Sequence, residues 1–235
     1  AKMSDVFFNE LNLRSPDYNL GIAGGTHGQM TGKMLAGVED LIVSEAPDAV
    51  LVYGDTNSTL AASLAASKLH VPVIHIEAGL RSWNKAMPEE VNRVLTDHVS
   101  DLLLCPSGQA VLNLRREGIN EGVYEVGDVM ADVCQVVIEG VSDASELLNR
   151  FGVEVGAYCL VTCHRAENTD SRERLSSILS ALGELPCPVL FPLHPRTRAA
   201  IERYQLNLPS NFITTLPLGY ADMIGLLLNA RLLFT

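Results

Sequence analysis

The 235-residue chain has few charged residues, and the positive ones are the scarcer kind. Charged residues make up 19% of the sequence, and 17 Lys and Arg stand against 28 Asp and Glu, for a net charge of -11. Such a surplus repels polyanions, which argues against nucleic acid or an anionic membrane as a partner. The sequence also lacks an apolar run near the roughly 20 residues that cross a bilayer. No signal segment is predicted at its start.

The chain lacks a CxxC pair, and its five cysteines are scattered and odd in number. This pattern favours reduced core thiols in a cytoplasmic protein over disulfides or a metal centre. His75 and Glu77 are two candidate ligands without a third at a useful spacing, so no metal site is predicted. The cysteines are Cys105, Cys134, Cys159, Cys163 and Cys187.

Apolar residues make up 47% of the chain, which is enough for a sizeable core and argues against disorder. Short apolar runs alternate with helical segments, and the alternation restarts past the middle of the chain. This order predicts an α/β fold of two Rossmann-like, doubly wound domains. We place an N-terminal domain at residues 1–140 and a C-terminal, nucleotide-binding domain at 141–235, with the boundary between about 133 and 156.

The predicted elements follow from apolar periodicity and from Gly and Pro breakers. The predicted strands are 49–53, 71–76, 102–105, 124–126, 158–162, 189–191, 212–214 and 232–234. The predicted helices are 3–11, one that follows the glycine-rich stretch 24–32 and ends at 46, 57–70, 88–98, 108–117, 129–150 with interruptions at 140 and 142, 171–185, 197–204 and 220–229. Asp170 is the predicted cap of the helix at 171–185.

Three acids lie in or just after the βαβ unit that residues 49–76 form. Asp55 and Glu77 each follow a predicted strand directly, and Glu89 opens the next helix. The carboxyl ends of parallel strands share one edge of a sheet, where ligands bind. Asp55 could instead cap a helix, although Thr56 could do so equally well. Glu77 extends the strand face of His75, and a carboxylate there is costly unless it is paired or used.

The first turn of the helix at 88–98 favours negative charge in any case, so Glu89 has a purely structural explanation as well. Glu89, Arg93 and Asp97 follow one another at spacings of four and would form one charged stripe. Such a stripe is either a solvated helix face or the wall of a site that includes Asp55 and Glu77. The sequence leaves both interpretations open.

Cation-capable groups follow two strands of the second half. His164, Arg165 and Asn168 come after the strand at 158–162, and His194 comes after the strand at 189–191. Such groups could bind an anion despite the acidic total charge. Further candidates for the same role are Arg81, Arg93 and Arg196. We therefore expect a crevice between two domains, with acids on one wall and basic groups on the other, suited to general acid–base chemistry on an anionic substrate.

The strings VLVYGDTNSTLA, HIEAGLRS, MPEEVNR, VGDVMAD and TCHRAEN occur in this order. Together they resemble the bacterial, non-hydrolysing UDP-N-acetylglucosamine 2-epimerase family, and the resemblance runs through nearly the whole chain. It implies a GT-B-like fold of two Rossmann-type domains around a cleft. It also implies a cytoplasmic homodimeric isomerase of cell-surface polysaccharide biosynthesis that needs no cofactor.

The implied reaction interconverts UDP-N-acetylglucosamine and UDP-N-acetylmannosamine. The proton on sugar carbon 2 is removed as UDP leaves carbon 1, and UDP re-adds as a proton returns to the other face. Asp55, Glu77 and Glu89 match the family's catalytic acids, and His164 matches its histidine near the nucleotide phosphates. Implied substrate-binding residues are Arg81, Arg93, Arg165, Asn168, His194 and Met223. A second, regulatory substrate site is also implied, with His27 and Gln29 as candidates by loop position.

Two family segments have no counterpart in this sequence: a first strand with a GTRPE-like loop, and a TDSGG…QEE segment that holds UDP. We expect the sequence to be a fragment, and residues 1–235 alone to show no turnover. The identity of the UDP-sugar stays open, because relatives act on UDP-2,3-diacetamido-glucuronic acid and others hydrolyse the product. A non-catalytic sugar-nucleotide binder or a GT-B transferase is the alternative from another class, although a transferase would not need three clustered acids.

Overall fold

The computed structural model describes residues 13–140 and 144–235. The chain folds into two compact units. One consists of Pro16–Asp132, and the other contains Val133–Thr235. The helix predicted at 3–11 lies outside the described residues, and the predicted boundary at residue 140 stays a prediction. Within the described ranges, no helix combines the length and the apolar character needed to span a membrane.

The first unit is a parallel sheet in the order β1-β2-β3-β4 with flanking helices. Val50 pairs with Val73, Ile74 with Leu102 and Leu103 with Val123, so all four strands end at the same edge. Its elements are α1 (His27–Glu45), β1 (Val50–Tyr53), α2 (Asn57–Lys68), β2 (Val73–Ile76), α3 (Pro88–Val99), β3 (Leu102–Cys105), α4 (Gly108–Arg116) and β4 (Val123–Glu125).

The second unit is also a parallel sheet, in the order β7-β6-β5-β8. The strand order reverses between β5 and β8, which creates a topological switch point at the carboxyl end of β5. The remaining elements of the chain are α5 (Val129–Gly140), α6 (Ser145–Phe151), β5 (Cys159–Val161), α7 (Ala166–Thr169), α8 (Arg172–Gly183), β6 (Val189–Pro192), α9 (Pro195–Tyr204), β7 (Phe212–Thr215), α10 (Tyr220–Asn229) and β8 (Leu232–Phe234).

Each unit has its own buried core. In the first unit, Ala65 and Ala66 of α2 are fully buried against Val52 and Val73, because an alanine face lets a helix approach the sheet closely. A second cluster of the first unit surrounds Leu103. The second unit packs α8 and α9 on one side of its sheet, and α6 and α10 on the other. Helices on both faces of a parallel sheet define a doubly wound domain.

Two predicted helix starts are wrong. The helix α1 begins at His27, within the glycine-rich stretch, because Thr26 and Gln29 form a capping box there. The predicted cap Asp170 does not cap α8. Ser171 takes that role, and its hydroxyl accepts a hydrogen bond from the Arg174 backbone N–H. At the start of both helices, a side-chain hydroxyl accepts a hydrogen bond from a backbone N–H group of the first turn.

Candidate active site

The turn after β1 places Asp55 at the edge of the first sheet. Gly54 has a φ of +62° and Thr56 is the N-cap of α2, so the Asp55 carboxylate is not needed as a cap. It forms an ion pair with Arg93 of α3 instead. The Asp55 backbone carbonyl accepts a hydrogen bond of 2.9 Å from the side chain of Asn92. Both contacts fix Asp55 against the start of α3.

Glu77 lies beside Asp55, directly after β2. Its φ of +68° is left-handed, a conformation that costs an L residue about 1–2 kcal/mol. A Cβ on Gly54 would lie only 3.1 Å from Glu77 Oε2, so the carboxylate extends over the Gly54 backbone. The prediction that Glu77 continues the strand face of His75 is wrong, because the strand ends at Ile76 and the turn redirects the side chain.

The environment of Glu77 favours its neutral form. Partial burial raises the pKa of Glu77, and the carboxylates of Asp128 and Asp55 raise it further. The positive charges of His75 and Arg93 oppose the shift without cancelling it. A carboxyl group with a raised pKa at the ligand edge of an α/β sheet is suited to exchange a proton with a substrate.

Asp128 was missing from the predicted site. It follows β4 as Asp55 follows β1, and its carboxylate accepts a hydrogen bond of 2.8 Å from the Met130 backbone N–H. The rule that selected Asp55 and Glu77, an acid just after a parallel strand, also applies to Asp128 and could have found it.

The three charges of the predicted stripe on α3 have different surroundings. Arg93 contacts Asp55 and Glu90 rather than Glu89, and Asp97 is buried beneath the site. Glu89 is exposed to solvent, whereas Glu90 is only 2% exposed. Neighbouring helix positions point about 100° apart, so the seating of α3 on the sheet decides which glutamate is buried.

Glu90 anchors the loop before α3. It accepts hydrogen bonds from the Ser82 N–H and hydroxyl, both at 2.8 Å, and from the Trp83 N–H at 2.9 Å. Burial alone would raise the pKa of Glu90, but these bonds and the Arg93 charge hold it below its ordinary value. Glu90 is therefore an ionised structural acid. The buried Arg93 Nε has no hydrogen-bond partner among the described residues.

Arg81, a predicted substrate-binding residue, forms ion pairs with two acids of the first unit. Its side chain is fully buried, where Nε and Nη2 donate to Glu117 at 2.7 and 2.6 Å and Nη1 donates to Asp97 at 2.7 Å. Burial alone would lower the pKa of Arg81, but both acids outweigh it and raise that pKa. The arginine follows a strand as predicted, but its donors bind the buried Asp97 of α3 and Glu117, the partly exposed C-cap residue of α4.

His27 and Gln29, the predicted regulatory candidates, lie at the start of α1. His27 Nδ1 lies 3.1 Å from the side-chain nitrogen of Asn57, the first residue of α2. The Gln29 side-chain carbonyl accepts a 3.1 Å hydrogen bond from the Thr26 N–H. Gln29 therefore has a capping role that its loop position did not predict.

The second unit places its predicted residues after β5 and β6. His164 and Arg165 are exposed and Asn168 is half-buried in α7, all just beyond the switch point between β5 and β8. The rings of His164 and His194 lie with their centroids 5.8 Å apart. His194 Nδ1 accepts a 3.1 Å hydrogen bond from the Arg196 N–H, so His194 caps α9 and carries its proton on Nε2 when neutral.

The remaining predicted groups of the second unit differ in character. Arg196 forms an ion pair of 3.2 Å with Asp170. Met223 of α10 is half-buried and packs against the core cluster of the unit, beside Leu226. The exposed cationic and amide groups after β5 can bind an anion where parallel-sheet ligands bind, and the clustered carboxylates of the first unit can transfer protons.

The chain is similar to known proteins of one family. The family model described as UDP-N-acetylglucosamine 2-epimerase matches residues 1–235. A Pseudomonas aeruginosa protein named UDP-2,3-diacetamido-2,3-dideoxy-D-glucuronate 2-epimerase is 52% identical, over 100% of this chain and 66% of its own length. A Methanocaldococcus jannaschii UDP-N-acetylglucosamine 2-epimerase is 43% identical, over 99% and 67%. The chain thus spans about two thirds of the length of these curated relatives.

Two solved structures are similar to the chain. The crystal structure of Methanocaldococcus jannaschii UDP-GlcNAc 2-epimerase in complex with UDP-GlcNAc and UDP has a TM-score of 0.85 at 42% identity, covering 97% of this chain and 66% of that one. The crystal structure of the Neisseria meningitidis enzyme bound to UDP-GlcNAc has a TM-score of 0.87 at 30% identity, covering 99% and 66%.

Fold and site together define a protein of two Rossmann-like domains with an acidic edge on one sheet and a switch point on the other. The predicted fold class, α/β with two doubly wound domains of the GT-B-like kind, is confirmed. The chain belongs to the UDP-N-acetylglucosamine 2-epimerase family, as its motifs predicted.

Proposed function

We propose that the protein is an isomerase that interconverts UDP-N-acetylglucosamine and UDP-N-acetylmannosamine. UDP leaves carbon 1 as a proton leaves carbon 2, and UDP re-adds as a proton returns to the opposite face. Family membership supports this reaction, and so do the relatives and solved structures named for UDP-N-acetylglucosamine.

The proton transfers are assigned to the acids of the first unit. The observation that carries this assignment is Glu77, an acid whose pKa is raised by partial burial and by the carboxylates of Asp128 and Asp55. An acid that is neutral more of the time can donate a proton, while the ionised Asp55 beside Arg93 can accept one. Glu89 is kept as a third candidate because it is exposed at the start of α3.

Nucleotide binding is assigned to the second unit. His164, Arg165 and Asn168 follow β5 at the switch point, and exposed cationic groups at that place suit a diphosphate. His194 and Met223 are proposed to contribute to substrate binding, and the sequence resemblance supports both. The same resemblance supports His27 as a regulatory contact.

The experiment is to incubate the intact protein with UDP-N-acetylglucosamine and follow the carbon-2 epimer by proton NMR. The proposal predicts that the UDP-N-acetylmannosamine signal grows and that Asp55→Asn and Glu77→Gln each remove it. Wild-type turnover with both variants fully active would contradict the assignment of these acids and leave the reaction to other residues. A folded protein without any epimer would contradict the proposed reaction.

A second candidate is the 2-epimerisation of UDP-2,3-diacetamido-2,3-dideoxyglucuronic acid. It is favoured by the relative of 52% identity, which carries that activity in its name. The substrates differ by a carboxylate and a second acetamido group, so their rates should differ widely. Parallel incubations with each sugar nucleotide decide which is the substrate, and release of free sugar would reveal a hydrolysing enzyme.

We also propose that the protein is a cytoplasmic homodimer that acts in cell-surface polysaccharide biosynthesis. The family resemblance supports all three statements. Light scattering of the purified protein tests the oligomeric state. For a homodimer, the measured mass should be twice the mass of the monomer. A monomer at micromolar concentration would contradict it.

A further inference from the structure

Two cation-capable and two acidic side chains of the first unit lie together beneath the candidate site. His75 and Asp97 are buried, the Arg81 side chain is fully buried, and Glu117 completes the group. Such a network is destabilising unless every member is paired. Here the two cations and two acids alternate, so each charge has a partner.

His75 is held between two hydrogen-bond acceptors. Its Nδ1 lies 2.6 Å from Asp97 Oδ1, and its Nε2 lies 2.8 Å from the carbonyl oxygen of Gly54. A carbonyl oxygen cannot donate, so Nε2 carries a proton. Arg81 lies against the second oxygen of Asp97 and favours the ionised carboxylate, so Nδ1 carries a proton as well. His75 is therefore an imidazolium.

These contacts reach both turns that carry the candidate catalytic acids. His75 binds the carbonyl of Gly54, which immediately precedes Asp55. Asp97 Oδ2 accepts a 3.1 Å hydrogen bond from the Gly79 N–H, at the end of the turn that begins with Glu77. The left-handed backbone of Glu77 needs such surrounding contacts to persist.

We propose that His75 and Asp97 are positioning residues, which hold the turns of Asp55 and Glu77 in register as one buried ion pair. This inference rests on the proposed function. Neither side chain touches the substrate edge directly: His75 acts through Gly54, and Asp97 acts through Gly79 and His75. Together they tie the ends of β1 and β2 to α3.

The kinetic test compares Asp97→Asn with Glu117→Gln in the intact protein. Both variants remove one negative charge from the network, but Glu117 is 19% exposed, and among the described residues it binds Arg81 alone and reaches neither turn. Because a displacement of about 1 Å in an active site can cost about 100-fold, Asp97→Asn should lower kcat about 100-fold with KM nearly unchanged. Glu117→Gln should keep kcat within a few-fold of wild type.

The pH dependence of kcat/KM distinguishes a positioning role from a purely structural one, because a loss of stability alone would not shift it. The charged groups facing Glu77 are Asp55, Asp128, His75 and Arg93. The neutral amide in Asp97→Asn carries no charge that favours a second proton on His75, and a weaker positive charge beside Glu77 lets the pKa of Glu77 rise further. The alkaline limb of the kcat/KM profile, which reports the proton donor Glu77, should then move to higher pH in Asp97→Asn and stay in place in Glu117→Gln.

Two further measurements keep the inference testable if Asp97→Asn does not fold. His75→Gln can still donate to the Gly54 carbonyl but carries no charge, so it should show the same displaced limb. Nitrogen-15 NMR of the wild type should show both His75 ring nitrogens protonated at neutral pH, and an unprotonated nitrogen would overturn the ion pair.

The outcomes separate this inference from the proposed function. If the wild type epimerises its substrate but Asp97→Asn or His75→Gln keeps both the kcat and the alkaline limb of the wild type, the positioning role is wrong and the function stands. If the folded wild type epimerises neither UDP-sugar, the proposed function is wrong whatever the NMR shows.

Discussion

Replacing Glu77 by glycine should remove the activity and leave the first unit more stable than replacing Glu77 by alanine does. Glu77 has a φ of +68°, which glycine adopts without steric cost. Glu77→Ala is the matched control, because it removes the same carboxylate but keeps a Cβ in the left-handed conformation. The difference between the two variants therefore isolates the backbone contribution.

The magnitude follows from two opposing effects. A left-handed backbone costs alanine about 1–2 kcal/mol, and the greater freedom of glycine in the unfolded chain returns about 0.5–1 kcal/mol. Glu77→Gly should therefore be about 1 kcal/mol more stable than Glu77→Ala. Both variants should lack epimerase activity, since neither carries the carboxylate.

Urea unfolding followed by tryptophan fluorescence measures this difference in the relevant unit. Trp83 is the only tryptophan of the chain and belongs to the same unit as Glu77. Its backbone N–H binds Glu90, so its environment changes when the unit unfolds. Equal free energies of unfolding for the glycine and alanine variants would refute the claim that the left-handed backbone at residue 77 lowers the stability of the protein.

The pH dependence provides a second check on Glu77. Folding raises the pKa of Glu77 above its ordinary value of 4.5, so the unfolded chain releases this proton first as the pH rises. The wild type should lose stability relative to Glu77→Gln as the pH rises from the unfolded pKa through the folded one. Below this range the two should converge, and parallel stability curves across the whole range would contradict the shift.

Three further substitutions test individual contacts. Gly79→Ala should lower the free energy of unfolding, measured in urea, by about 3 kcal/mol. The new Cβ would lie 2.4 Å from the Ala110 carbonyl oxygen, and the φ of +79° is unfavourable for alanine. A loss below about 1 kcal/mol would contradict this prediction. Asp55→Asn should lower kcat at least about 100-fold and change stability by at most about 1 kcal/mol, because Asp55 is 32% exposed and Arg93 keeps its ion pair with Glu90. The reverse pattern would make Asp55 structural. Ser171→Ala should cost about 1 kcal/mol by circular dichroism through loss of the α8 cap, and no change would contradict that role.

The sequence was sufficient to predict the edge of the sheet at which the acids lie. Asp55 and Glu77 each follow an apolar run that period and length identify as a strand, and parallel strands end together. That single rule located two acids without side-chain detail. It also applies to Asp128, which follows the short strand β4.

The sequence was not sufficient to predict how α3 faces the sheet. Its charges at 89, 93 and 97 suit a solvated stripe as well as a buried one, because the spacing fixes only their common face. Packing then places Asp97 against His75 and exposes Glu89. Arg81 and Glu117 are 36 residues apart, and only the tertiary fold brings them into contact.

The central claim is that acids at this edge exchange the proton on sugar carbon 2. The direct measurement is an incubation of the intact protein with UDP-N-acetylglucosamine in deuterated water, followed by NMR of carbon 2. We expect solvent deuterium at carbon 2 of the product with the wild type, and none with Glu77→Gln. A product that retains its original hydrogen, or full deuterium exchange in the variant, would contradict the claim.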